Sequence, residues 1–88
     1  MSVYVNYMSE LEKFLTKSFI EMARSTLKKQ GLTQRDLAFK MGIKYSSARY
    51  LMSGRKSISF KDIAKFSIAF KTDITLRAGR VHVSTKEP

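Results

Sequence analysis

No cysteine occurs anywhere in the chain, which excludes a disulfide framework and a thiolate metal site and gives no sign of an oxidising compartment. Histidine is nearly as scarce. His82 stands alone, and without convergent partners it reads as a surface residue rather than a metal ligand or a base. Acidic residues number seven against seventeen Lys and Arg. They are scattered or stand where helix caps are needed, and nothing resembles a catalytic triad or a phosphate loop, so neither an enzyme nor a cofactor is expected. No apolar run approaches the roughly eighteen residues that a membrane span needs, and the first residues lack the basic region, apolar core and small-residue site of an export signal. A soluble, cytoplasmic protein without a membrane partner is expected.

What is present is enough for one small domain. Eighty-eight residues, 43% of them apolar, with six Phe and four Tyr, carry more to bury than a disordered tail would. A domain of this size buries only about 60 to 65% of its unfolded surface, so a second subunit would add needed stability. The net charge of +10 is concentrated. Residues 24 to 61 hold ten Lys or Arg against Asp36 alone, whereas residues 1 to 23 hold two against three Glu. Packing like charges together costs folding free energy, and a chain that retains such a segment presents it to a polyanion. The alternatives are a solvated face that serves solubility and a lipid surface, and the acidic balance of residues 1 to 23 argues against lipid.

The pattern along the chain is mainly helical. Val3 and Val5 alternate with Tyr4 and Asn6, as in a short extended lead-in, and Ser9 with Glu12 has the form of a capping box. Leu11, Phe14, Leu15, Ser18, Phe19, Met22, Ala23, Thr26 and Leu27 then recur at helical steps, which predicts a helix over 10–29 stopped at Gly31. Thr33 and Asp36 predict a capped second helix over Gln34–Met41 that ends at Gly42. A third runs over 44–53 with Ala48, Leu51 and Met52 inward, closed by Gly54. Ile58, Ser59 and Ile63 form a hydrophobic staple for a fourth over 60–70. That helix is more apolar than one stripe requires, so it is expected to be buried widely or shared with a partner. From Asp73 the period changes to two: strands are expected over 73–77 and 80–84, with Ala78-Gly79 between them as a possible turn, and because a lone hairpin is marginal in water the expected partner of the first strand is its copy in a second chain. The core is thus 10–72, a dimerisation strand or hairpin lies in 73–84, and 85–88 is a tail.

Two short helices around a glycine turn, the second polar outside, are the parts of a helix-turn-helix. The spacing is mechanical. Ala38 is small where the helices cross, Gly42 permits positive φ, and Ile43, Ala48 and Leu51 point to the core. With Thr33-Gln34, the run Tyr45-Ser46-Ser47 and Ser53-Gly54-Arg55-Lys56, the chain resembles the phage Cro/repressor family, the xenobiotic-response-element type, over about residues 17 to 70. Lys71 and Thr72 stand where that family commonly continues with Gly and an apolar residue, and a strand replaces its fifth helix. Family members with such a strand, DNA-binding antitoxins among them, pair it across a dimer.

The resemblance and the geometry together place the third helix in the major groove of double-stranded DNA. Lys44, Tyr45, Ser46, Arg49 and Tyr50 are the expected base contacts, with a phosphate contact as the alternative for Arg49 and packing on the domain surface for Tyr50. Gln34, Arg35, Ser47, Arg55, Lys56 and Lys61 are the expected phosphate contacts, with solvation the alternative for Arg35. Phe66, Phe70, Ile74 and Leu76 are expected at a homodimer interface. The functional expectation is a dimeric repressor reading a palindromic operator. The alternative is an antitoxin-like subunit that binds a toxin or other regulator as well as its own promoter.

Overall fold

The computed structural model describes residues 2–77 and 80–85, and the side chains of 10–72 and 74. Among them four helices precede two strands: α1 Ser2–Gln30, α2 Gln34–Met41, α3 Tyr45–Ser53, α4 Phe60–Phe70, β1 Thr72–Arg77 and β2 Arg80–Thr85.

α1 begins earlier than its sequence suggests. Ser9 lies inside the helix and not at its cap, and the expected extended lead-in is helical. Residues 2 to 9 contain no Gly or Pro to stop a helix. β2 also lies along α1, a tertiary support that no local pattern displays.

The three later helices follow their local signals. Thr33 caps α2 and Ser59 caps α4, each through a reciprocal box with an acid three residues on, Asp36 and Asp62. Gly31, Gly42 and Gly54 all have positive φ. Lys71 does the same work after α4 at φ 52°, and it is the only non-glycine residue to do so among those described. The Ser67 hydroxyl donates to the Thr72 carbonyl, tying the end of α4 to the start of β1.

All four helices feed one core. Phe19 and Phe66 are fully buried and meet edge to face at 5.5 Å, and Phe66 stacks on Phe70 at 4.5 Å. Ile20, Met22, Ala23, Leu27, Leu37, Ala38, Met41, Ala48, Leu51, Met52 and Ile63 join them, and Ile74 packs on this core from β1. The Ile58 amide donates to the buried Thr16 hydroxyl of α1 at 2.9 Å, which pins the α3–α4 connection to the long helix.

Two expectations at the C-terminal end are corrected. β1 pairs antiparallel with β2 of the same chain, in register from Thr72↔Thr85 to Arg77↔Arg80, so its partner on that edge is internal and not a second chain. Phe66 and Phe70, expected between subunits, are 0% and 8% exposed within the single chain. α4 turns those rings inward at i and i+4 and leaves Phe60 and Ile68 outside, at 75% and 77% exposed, so it is not buried widely. The Ala78-Gly79 turn, the side chains of Met8, Leu76 and His82, and residues 86–88 lie outside the described residues.

Candidate nucleic-acid interface

The site is built by fixing α3 against α2 from both ends. At the start of α2 the Thr33 amide donates to Asp36 Oδ2 at 2.7 Å, and the Asp36 amide returns a bond to Thr33 Oγ1 at 3.3 Å. The backbone amide and then the hydroxyl of Thr33 hold the Asp36 carboxyl below the usual range for an aspartate, and the charge of Lys40 adds to this. At the turn, Gly42 has φ 68°, and the amides of Gly42 and Ile43 donate to Phe39 and Ala38 at 3.2 and 3.0 Å. These bonds satisfy the last carbonyls of α2 and redirect the chain within two residues. At the exit of α3 the Ser53 hydroxyl donates to the Tyr50 carbonyl at 2.6 Å and accepts the Arg55 amide at 3.2 Å.

With Ala48, Leu51 and Met52 buried, the opposite face of α3 is outside. Lys44, Tyr45, Ser46, Ser47, Arg49 and Tyr50 are all exposed. Lys44 stands at the N-cap in extended backbone and gives no side-chain cap, so the first-turn amides of α3 keep their donor capacity for an outside acceptor. Ser46, Arg49, Tyr50, Ser53 and Arg55 line a shallow depression of about 300 Å³ along this face. The Tyr45 ring carries the Arg35 guanidinium at 4.2 Å and that of Arg49 at 5.9 Å. α2 thereby contributes to the face as well.

The expected phosphate-binding residues lie on α2, on α3 itself and in the stretch from the end of α3 into α4. Arg35, Ser47, Arg55, Lys56 and Lys61 are exposed and Gln34 is half-buried at the first position of α2. Lys56 already has a neighbour: its Nζ is 3.6 Å from Asp62 Oδ2, the carboxylate that closes the α4 cap. An ion pair this open is worth no more than about 1 kcal/mol, so it does not hold Lys56 from a phosphate.

A second cleft, of about 430 Å³, adjoins the first through Ser53 and Arg55 and runs between α1 and the α3–α4 connection. Lys13, Lys17 and Arg24 of α1 line it opposite Arg55 and Lys56, with Glu12 and Glu21 interspersed. None of these three cations was among the residues expected at a site. Their spacing, at helical steps along one side of α1, was the available signal. Among the described residues no three His, Cys, Asp or Glu side chains converge as a metal site, and no helix is long and apolar enough to cross a membrane.

Comparison with known protein families matches the chain to the family described as helix-turn-helix over residues 24–76. That span covers most of the interval from the end of α1 through β1. No curated protein and no solved structure matches the chain.

Proposed function

From the premise that the chain belongs to the Cro/repressor-type helix-turn-helix family, whose members bind specific DNA sequences and regulate transcription, we propose that it is a dimeric repressor that reads a palindromic operator by seating α3 in the major groove. The observation that carries this reading is the outer face of α3: Tyr45, Ser46, Arg49 and Tyr50 stand clear of the core with Arg35 and Arg55 beside them, and Lys56 and Lys61 are exposed farther along the chain. A Tyr hydroxyl, a Ser hydroxyl and a guanidinium fork are donors suited to base edges, and a Tyr ring suits the thymine methyl. Lys44 completes the base-reading set. Gln34, Arg35, Ser47, Arg55, Lys56 and Lys61 hold phosphates and fix register. Two copies then sit on half-sites about one helical turn apart. Ile74, half-buried on β1, and Leu76 remain as residues for the contact between copies.

Selection of bound sequences from random duplexes at near-physiological salt tests the division of labour. Tyr45→Ala is expected to relax the sequence preference, and Lys56→Ala to weaken binding to all sequences alike. Equal, uniform losses in both variants would remove the assignment. Sedimentation that shows only monomer at micromolar concentration, with and without the selected duplex, would remove the dimer.

One observation favours a second reading, in which the chain also binds a protein. Phe39 on α2 and Phe60 and Ile68 on α4 are large apolar side chains left 87%, 75% and 77% exposed, which a protein partner could cover. Titration with the product of a co-transcribed neighbouring gene distinguishes the two. Saturable binding that is weakened by Phe60→Ser supports the antitoxin-like reading, and its absence rejects it.

A further inference from the structure

Tyr45 opens α3, yet the side chain lying closest over its ring comes from α2. Arg35 is exposed and ten residues away in sequence, and its guanidinium carbon lies 4.2 Å from the ring centroid. That is well inside the roughly 6 Å over which a cation and an aromatic face attract. Arg49, one turn along α3, adds a second and more distant cation at 5.9 Å. The acid beside Arg35 is Asp36, whose carboxylate accepts from the amide and hydroxyl of Thr33. The stack joins the first turn of α2 to the first turn of α3 at the edge that faces the duplex. A tyrosine at the exposed start of a helix has other χ1 wells open to it, and a ring that must find its base from several wells pays an ordering cost on binding.

We propose that Arg35 is a positioning residue for Tyr45: by stacking on the ring it holds the recognition tyrosine in its reading rotamer, and so contributes to sequence preference without touching a base. The inference rests on the reading that α3 enters the major groove. It adds to Arg35 a role that a phosphate contact does not supply. A stacked guanidinium keeps its in-plane N–H donors, so Arg35 performs both roles together. An exposed cation–π contact corresponds to about a two- to five-fold change in an equilibrium constant.

The test has one arm without DNA and one with it. In the free protein, the Arg35 δ-protons are expected upfield of the other arginines by the ring current of Tyr45, and the shift is expected to vanish in Tyr45→Leu. Binding is then measured on the selected duplex and on one altered at the base step whose preference Tyr45→Ala erases. Arg35→Ala is expected to cut discrimination between the two duplexes about three-fold, and to cut it no further when Tyr45 is already Ala. Arg35→Lys, which keeps the charge but not the planar stack, is expected to restore overall affinity and not the discrimination. Equal loss on both duplexes, rescue of discrimination by Lys, or the same effect of Arg35→Ala with and without Tyr45 overturns the proposal and leaves the groove reading intact. A wild-type protein that prefers no duplex overturns the groove reading and this proposal with it, and a persisting ring-current shift identifies that case.

Discussion

Asp36 shows how one exposed side chain carries both fold and site. Its carboxylate accepts the Thr33 amide and hydroxyl at 2.7 and 3.0 Å, which fixes the first turn of α2 and with it the backbone that presents Gln34 and Arg35. Those bonds favour the ionised form, so the carboxyl of the folded chain titrates below its ordinary value of 3.8. A depressed carboxylate contributes its stability above the unfolded value and loses it as the pH falls through the folded one. Thr33→Ala removes the hydroxyl cap and is expected to cost about 1 kcal/mol near neutral pH. The difference from wild type in urea unfolding is expected to shrink as the pH is lowered through 3.8 and below, where Asp36 is protonated in both proteins. A difference that stays constant across that range would show that the cap does not act through the charge.

At the scale of elements, positive φ decides where all four helices end. Gly42 has φ 68°, and a Cβ added there would meet nothing within 4 Å, so the cost of a side chain is backbone strain alone. Gly42→Ala is expected to destabilise by about 1–2 kcal/mol. Lys71 sits in the same conformation at φ 52° with a side chain that does not favour it. Lys71→Gly is expected to stabilise by about 0.5–1 kcal/mol once the greater freedom of glycine in the unfolded chain is subtracted, seen as a rise of a few degrees in thermal midpoint. Opposite signs from one conformation make the pair a stringent check, and a loss of stability in Lys71→Gly would contradict it. The same local signals explain what was legible beforehand. Thr33, Asp36, Gly42, Ser59 and Gly54 act within four residues of themselves, so α2, α3 and α4 and the exposed face of α3 could be placed from the sequence. The early part of α1 could not, because Ser9 and Glu12 imitate a helix start whose rival, the packing of β2 along α1, spans the chain. Phe66 and Phe70 were misassigned because α4 also carries Phe60 and Ile68. Apolar residues on two sides of a helix do not reveal which side meets the core. The Arg35–Tyr45 stack depends on the crossing of α2 and α3, which no spacing encodes.

For the whole molecule, the distribution of charge predicts how affinity responds to salt. Lys44 and Arg49 belong to α3, Arg35 and Arg55 lie beside its outer face, and Lys56 and Lys61 follow in the chain toward α4; all six are exposed. Each cation brought close to the phosphates releases counterion, the four assigned to phosphates and equally Lys44 and Arg49 in the groove between the two backbones, so six of them give a slope of log affinity against log salt of about −5. The α1 cleft offers Lys13, Lys17 and Arg24 as well, and their engagement would steepen the slope to about −8. The cleft is poorly suited to that. Glu12 and Glu21 line it, and Lys13 stands 3.7 Å from Glu10, so a phosphate entering there meets a field weakened by nearby carboxylates. The expected slope is therefore close to −5 for the wild type, and one shallower in magnitude by about 1 for Lys56→Ala. Measurement on the selected duplex across a series of potassium salt concentrations decides the matter. A value near −8 would bring α1 onto the DNA backbone, whereas one weaker than about −2 would mean that the basic middle of the chain does not meet a duplex at all.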